Sequence, residues 1–104
     1  MLTLPIKKKW FDMILSGEKK EEYREIKPYW THRFFRLFDG DVELRPKSMH
    51  LGKGQVIFKN GYRKDSPKIK CSVELRLGEG EEKWGAEHGK IYFILKILNV
   101  EEIC

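Results

Sequence analysis

Three residues in SGEKKEEYR, positions 16–24, could act on one ligand: Lys19, Glu22 and Arg24, a cation, a carboxylate and a forked guanidinium. On an extended backbone, side chains two positions apart leave the same face roughly 6 to 7 Å from each other. Glu22, an acceptor, and Arg24, a five-donor fork, would then meet the same phosphate or base edge. Lys19 would reach outward from the loop just ahead of them. The plain alternative is an exposed ion-pair group, worth at most about 1 kcal/mol per pair. Glu18, Lys20, Glu21 and Glu25 read as solvated neighbours.

The elements around this stretch must hold it in place. MLTLPI opens the chain as a short apolar strand with Pro5 near its end. From Lys7 to Ser16, Trp10, Phe11, Ile14 and Leu15 form one apolar face at helical period, and Gly17 stands where a C-cap glycine belongs. Past Gly17 the period changes to two in EEYREI, with Glu22 and Arg24 on one face and Tyr23 and Glu25 on the other. Pro28 suits a second helix start, in which Trp30, Phe34, Leu37 and Phe38 share a core face until Asp39–Gly40 stops the helix. Tyr29, His32, Arg33 and Arg36 fall on its other side. Beyond the turn-rich RPKSMHLGKG, three further strands are predicted in QVIFKN, KIKCSVELRL and IYFILKILNV. NGYRKDSP and the acidic GEGEEKWGAEHG read as loops between them. About five short strands and two helices near the N-terminus predict an α+β fold on a small, curled, mainly antiparallel sheet or barrel.

A chain of 104 residues has material for one hydrophobic core, so residues 1–104 are expected to form a single domain. With 40% apolar and 36% charged residues, disorder is not expected. No apolar run approaches the roughly 20 residues that cross a bilayer, and Lys7, Lys8 and Lys9 interrupt the N-terminal segment, so a cytoplasmic protein with no membrane partner is expected. Cys71 and Cys104 form no CxxC pair, which suits a reducing compartment. His32, His50 and His88 have no metal-ligand spacing, so neither a metal nor another cofactor is expected. GxSxG, HExxH and Walker patterns are missing from the sequence.

The charge is uneven. Residues 1–76 carry 18 Lys and Arg against 10 Asp and Glu, a net of +8, while residues 77–104 carry 3 against 6, a net of −3. Arg45, Lys47, Lys53, Lys59, Arg63, Lys64, Lys68 and Lys70 crowd a stretch whose one acid is Asp65. Such a cluster attracts a polyanion, or else simply solubilises the surface. Two places interleave aromatics with cations in the manner that suits single-stranded nucleic acid: Tyr29 with Arg33, and Tyr62 with Lys59, Arg63 and Lys64. Their bland readings are helix surface and turn. Trp30 reads as core, and Trp84 reads as packing over the barrel mouth.

Gly17-x-Lys19-x-x-Glu22-x-Arg24 resembles the GxKxxExR signature of the ASCH domain, a family of the PUA-like superfamily of small β-barrels. YREIKPYW, FKNGY and WGAEHGKIYFILKI also look like the phage-type and bacterial stand-alone branch of that family, so the resemblance covers nearly the whole length. It implies a curled sheet with a cleft at one end that receives RNA, a nucleotide or a nucleoside. Gly17, Lys19, Glu22 and Arg24 would line it, with Tyr29, Arg33, Lys59, Tyr62 and Arg63 as further contacts. Some ASCH proteins are amidohydrolases of acetylated cytidine nucleosides that use a lysine, a threonine and a glutamate, and nuclease activity has been attributed to others. Lys19 matches the lysine, but Glu22 holds the threonine position and cannot act as a hydroxyl nucleophile. Glu74 and Glu87 are the candidates for the third residue. Were the chain an enzyme, Lys19 and Glu22 would be catalytic, with the Glu22 carboxylate as general base on water. A third class is a protein-interaction module whose basic face meets an acidic partner. The oligomeric state is not legible.

Overall fold

A computed structural model of the chain describes residues 2–37 and 50–103. Phe38, Asp39–Gly40, Arg45, Lys47 and Cys104, named in the expectations above, lie outside the described residues. The element order is β1 (Leu2–Ile6), α1 (Lys8–Leu15), β2 (Glu21–Glu25), α2 (Pro28–Leu37), β3 (His50–Asn60), β4 (Lys68–Glu79), a 3-10 turn (Glu82–Trp84) and β5 (Ile91–Ile103). The strands form one curled, half-barrel sheet in the order β1-β3-β4-β5-β2. The domain is α+β, and its sheet is mixed: β1 runs parallel to β3, and the other three pairings are antiparallel. A parallel pair needs a long crossover, supplied here by α1, β2 and α2.

Alternation in β4 explains the main core. Ile69, Cys71, Val73 and Leu75 are buried on one face, where they meet Leu4, Val56, Phe58, Phe93 and Leu95 from the neighbouring strands. α1 adds Phe11 and Ile14 to this layer, and α2 adds Phe34, whose ring meets Phe93 edge-on at 5.2 Å. The unbroken apolar run in β5 has a different cause. Tyr92 and Ile94 point away from the main core into a second cluster with Tyr23 and Ala86, against which Trp84 packs, so that this part of the strand is covered on both sides.

Two expectations of extent are corrected. β3 begins at His50 rather than Gln55, because β4 offers ladder partners as far as Arg76 and the strand absorbs Gly52 at an irregularity between His50 and Gly52. Leu15 is 38% exposed rather than core: it ends α1 at the rim, next to Ile14, the last residue of the helix that is buried.

Cys71 has no exposed surface, and burial pushes its thiol from 9.0 up to about 12. The unfolded chain therefore loses this proton from about pH 9, while the folded chain keeps it to about pH 12. Stability should fall across that window by up to about 1.4 kcal/mol per pH unit. Denaturant melts at rising pH should show a shallower decline in Cys71→Ala than in the wild type.

Candidate functional site

The edge strands of the half-barrel, β1 and β2, do not pair with each other, and a cleft of about 680 Å³ opens beside them. Arg24 reaches across the gap, its Nη2 donating to the Pro5 carbonyl at 3.4 Å. One bank is the β1–α1 junction from Pro5 to Lys8, together with Trp10. The other holds Tyr29 and Trp30 from the first turn of α2. Asn60, Gly61 and Tyr62 of the β3–β4 loop and Trp84 and Gly85 after β4 complete the lining around Glu22, Tyr23 and Arg24.

Gly17 directs the chain into this site. Its φ of +85° is the left-handed turn that glycine adopts without strain, and its N–H caps α1 on the Ile14 carbonyl at 3.1 Å. The Lys19 amide then donates to the Met13 carbonyl at 2.9 Å. This return turns the Lys19 side chain under the helix, so the expected outward reach is corrected: the side chain is fully buried and does not line the cleft. Its Nζ donates to the Trp84 carbonyl at 2.6 Å and lies 3.3 Å from Glu22 Oε1. The rings of Trp10 and Tyr23 face it at 4.5 and 5.0 Å. Burial pulls its pKa below the ordinary lysine value, while Glu22 pulls in the opposite direction.

Glu22 and Arg24 share one strand face as expected. Arg24 Nη1 donates to Glu22 Oε2 at 2.5 Å and to the Tyr23 carbonyl at 2.9 Å. Glu22 thus sits between a buried ammonium and a guanidinium, and Arg24 also lies over the Trp30 ring at 5.3 Å. These are not loose surface ion pairs, since the Glu22 side chain is only 6% exposed.

Tyr23, on the opposite face of β2, fixes the loop that supplies Trp84. Its hydroxyl donates to Glu21 Oε1 at 2.8 Å and accepts the Glu81 amide at 2.8 Å. Burial raises the phenol's pKa well above its ordinary value. Arg76 holds Glu21 in turn, at 2.5 Å.

Among the other expected site residues, Tyr29 and Tyr62 reach the cleft and are largely exposed, Tyr62 by 89%. Arg33 lies over Tyr29 at 4.0 Å but outside the lining. Lys59 sits in the ladder opposite Pro5 and Lys68, and Arg63 is exposed in the loop; neither lines the cleft. Trp84 packs as expected. Trp30 combines two roles, packed on the core and lining the cleft. Glu74 lies on β4 opposite Lys53 and Lys96, and Glu87 follows the 3-10 turn; neither lines the cleft.

Sequence reasoning missed Lys7, Lys8 and Trp10 as cleft residues. The available signal was a lysine run leading into an indole at a helix start. Six aromatic and three cationic residues therefore line the cleft around one carboxylate. Among the described residues, no group of three or more His, Cys, Asp or Glu side chains could hold a metal ion, and no helix is long and apolar enough to cross a membrane.

Compared with known proteins, the chain matches no family model, no curated protein and no solved structure. The site therefore has to be read from its own chemistry.

Proposed function

We propose that the chain is an ASCH-like, PUA-like protein of the cytoplasm that binds a nucleotide unit, free or within RNA, in the cleft beside β1 and β2. The observation that carries this reading is the meeting of the Glu22–Arg24 pair with a lining rich in aromatic rings. Rings take the faces of a base, the pair offers hydrogen bonds to its edge, and Lys7 and Lys8 offer charge to a phosphate. The volume is within the range of small-ligand sites.

Hydrolysis is the second reading, because Glu22 could activate a water in the same cleft. The enclosure of Lys19 weighs for binding, since a nucleophilic amine must reach its substrate. Release of cytidine from acetylated cytidine would establish the hydrolase instead. Specific capture of an acidic protein without nucleic acid would favour the interaction module.

Trp10, Trp30 and Trp84 all line the cleft, so tryptophan fluorescence reports its occupancy. Short mixed-sequence single-stranded RNA should change it saturably, and more weakly as salt rises. No saturable change at low salt overturns the reading. Tyr62→Ala should leave stability within about 0.5 kcal/mol, because the side chain is 89% exposed. It should nevertheless weaken binding by about 1 to 3 kcal/mol if the ring stacks on a base.

A further inference from the structure

Among the described residues that line the cleft, Glu22 is the only anion. A carboxylate has about two acceptor sites on each oxygen and no donor. Lys19 faces Oε1 at 3.3 Å and Arg24 takes Oε2 at 2.5 Å, which leaves one acceptor site on each oxygen. Arg24 spends both Nη1 hydrogens on Glu22 and the Tyr23 carbonyl, and one Nη2 hydrogen on the Pro5 carbonyl. The other Nη2 hydrogen and the Nε hydrogen remain. Two acceptors thus stand beside two donors.

The two groups differ in how much an unfilled position costs. The Glu22 side chain is 6% exposed and that of Arg24 is 15% exposed, so a base seated on the pair strips water from the carboxylate first. Each oxygen already holds one donor, and a further acceptor site that loses its water without gaining a second donor is penalised more than a donor that keeps contact with solvent. The ligand edge favoured here carries two adjacent donors for Glu22 and an acceptor beside them for Arg24.

We propose that the cleft selects guanine. Its N1–H and 2-amino group are adjacent donors that match the two oxygens of Glu22, and its O6 accepts from Arg24. Adenine, cytosine and uracil each present one donor group on that edge and leave one of the two remaining Glu22 acceptor sites unfilled. The inference rests on the nucleotide reading above, and adds to it which base the floor takes.

Calorimetric titration of the unaltered protein with GMP, IMP, AMP, CMP and UMP tests it. GMP should bind roughly tenfold or more tighter than AMP, CMP or UMP. IMP, which keeps N1–H and O6 but lacks the 2-amino group, should fall between GMP and the rest. Equal affinities for GMP and IMP, comparable affinities across the panel, or a preference for AMP, CMP or UMP would overturn guanine selection and leave the nucleotide reading standing. Failure of every mononucleotide to bind would overturn guanine selection, and failure of single-stranded RNA to bind as well would remove the nucleotide reading too.

Discussion

Glu22→Ala is expected to destabilise the protein by about 3 to 5 kcal/mol, the cost of leaving one partner of a buried ion pair alone. The charge left behind is Lys19, whose side chain is fully buried and keeps only the Trp84 carbonyl and two aromatic faces. The pH dependence separates this cause from a packing loss. Burial already lowers the Lys19 pKa, and removal of Glu22, which raises it, lowers it further. Between that lowered value and the ordinary 10.5, the unfolded chain binds the proton and the folded chain does not, so stability rises with pH. Urea melts at neutral and mildly alkaline pH should therefore show the deficit of Glu22→Ala shrinking as pH rises. Adding Lys19→Met should recover much of the loss at neutral pH. A deficit that is constant with pH and unaffected by Lys19→Met would refute the account.

Gly80→Ala should cost about 2 to 3 kcal/mol, through overpacking at a place where nothing can yield. A Cβ there would stand 2.6 Å from two atoms of the Tyr23 ring and 2.7 Å from the Ala86 Cβ. The ring cannot retreat, because its hydroxyl is held by Glu21 and the Glu81 amide while Tyr92 packs against it at 5.6 Å. The strain would pass to the loop whose Trp84 carbonyl receives Lys19, so ligand binding should weaken together with stability. Gly78→Ala is the control, since its Cβ would meet the flexible end of Ile94 at 3.4 Å. Equal costs for the two substitutions in denaturant melts would count against this packing explanation.

The helices and strands were legible wherever one face alone is buried. α1, α2 and β4 follow their periods because each packs one side on the core, while β2 was legible from its alternation of residue types although Glu22 and Tyr23 are buried on opposite faces. In β5, the run Tyr92–Leu95 carries no alternation because both its faces are covered, and its apolar content alone marked it as a strand. The start of β3 was not legible, since glycines and a lysine at 52–54 read as turn while β4 supplied a ladder for them. Charge was the poorest guide to direction. Lys19 looked like every other lysine of its stretch, yet it alone is buried, because its chief acceptor, the Trp84 carbonyl, lies 65 residues away in the chain.

The sequence by itself determined what is local: a helix ended by Gly17, and a strand that puts Glu22 and Arg24 on one face, since the 3.6 and 2.0 periods and the left-handed turn depend on near neighbours alone. Only the tertiary structure decided that Lys19 supports Glu22 from beneath, that Trp10, Lys7 and Lys8 join the cleft, and that Arg24 spans β2 to β1. The physical reason is that a charge can be buried only where acceptors and ring faces from distant segments meet it, and curling of the sheet is what brings those segments together.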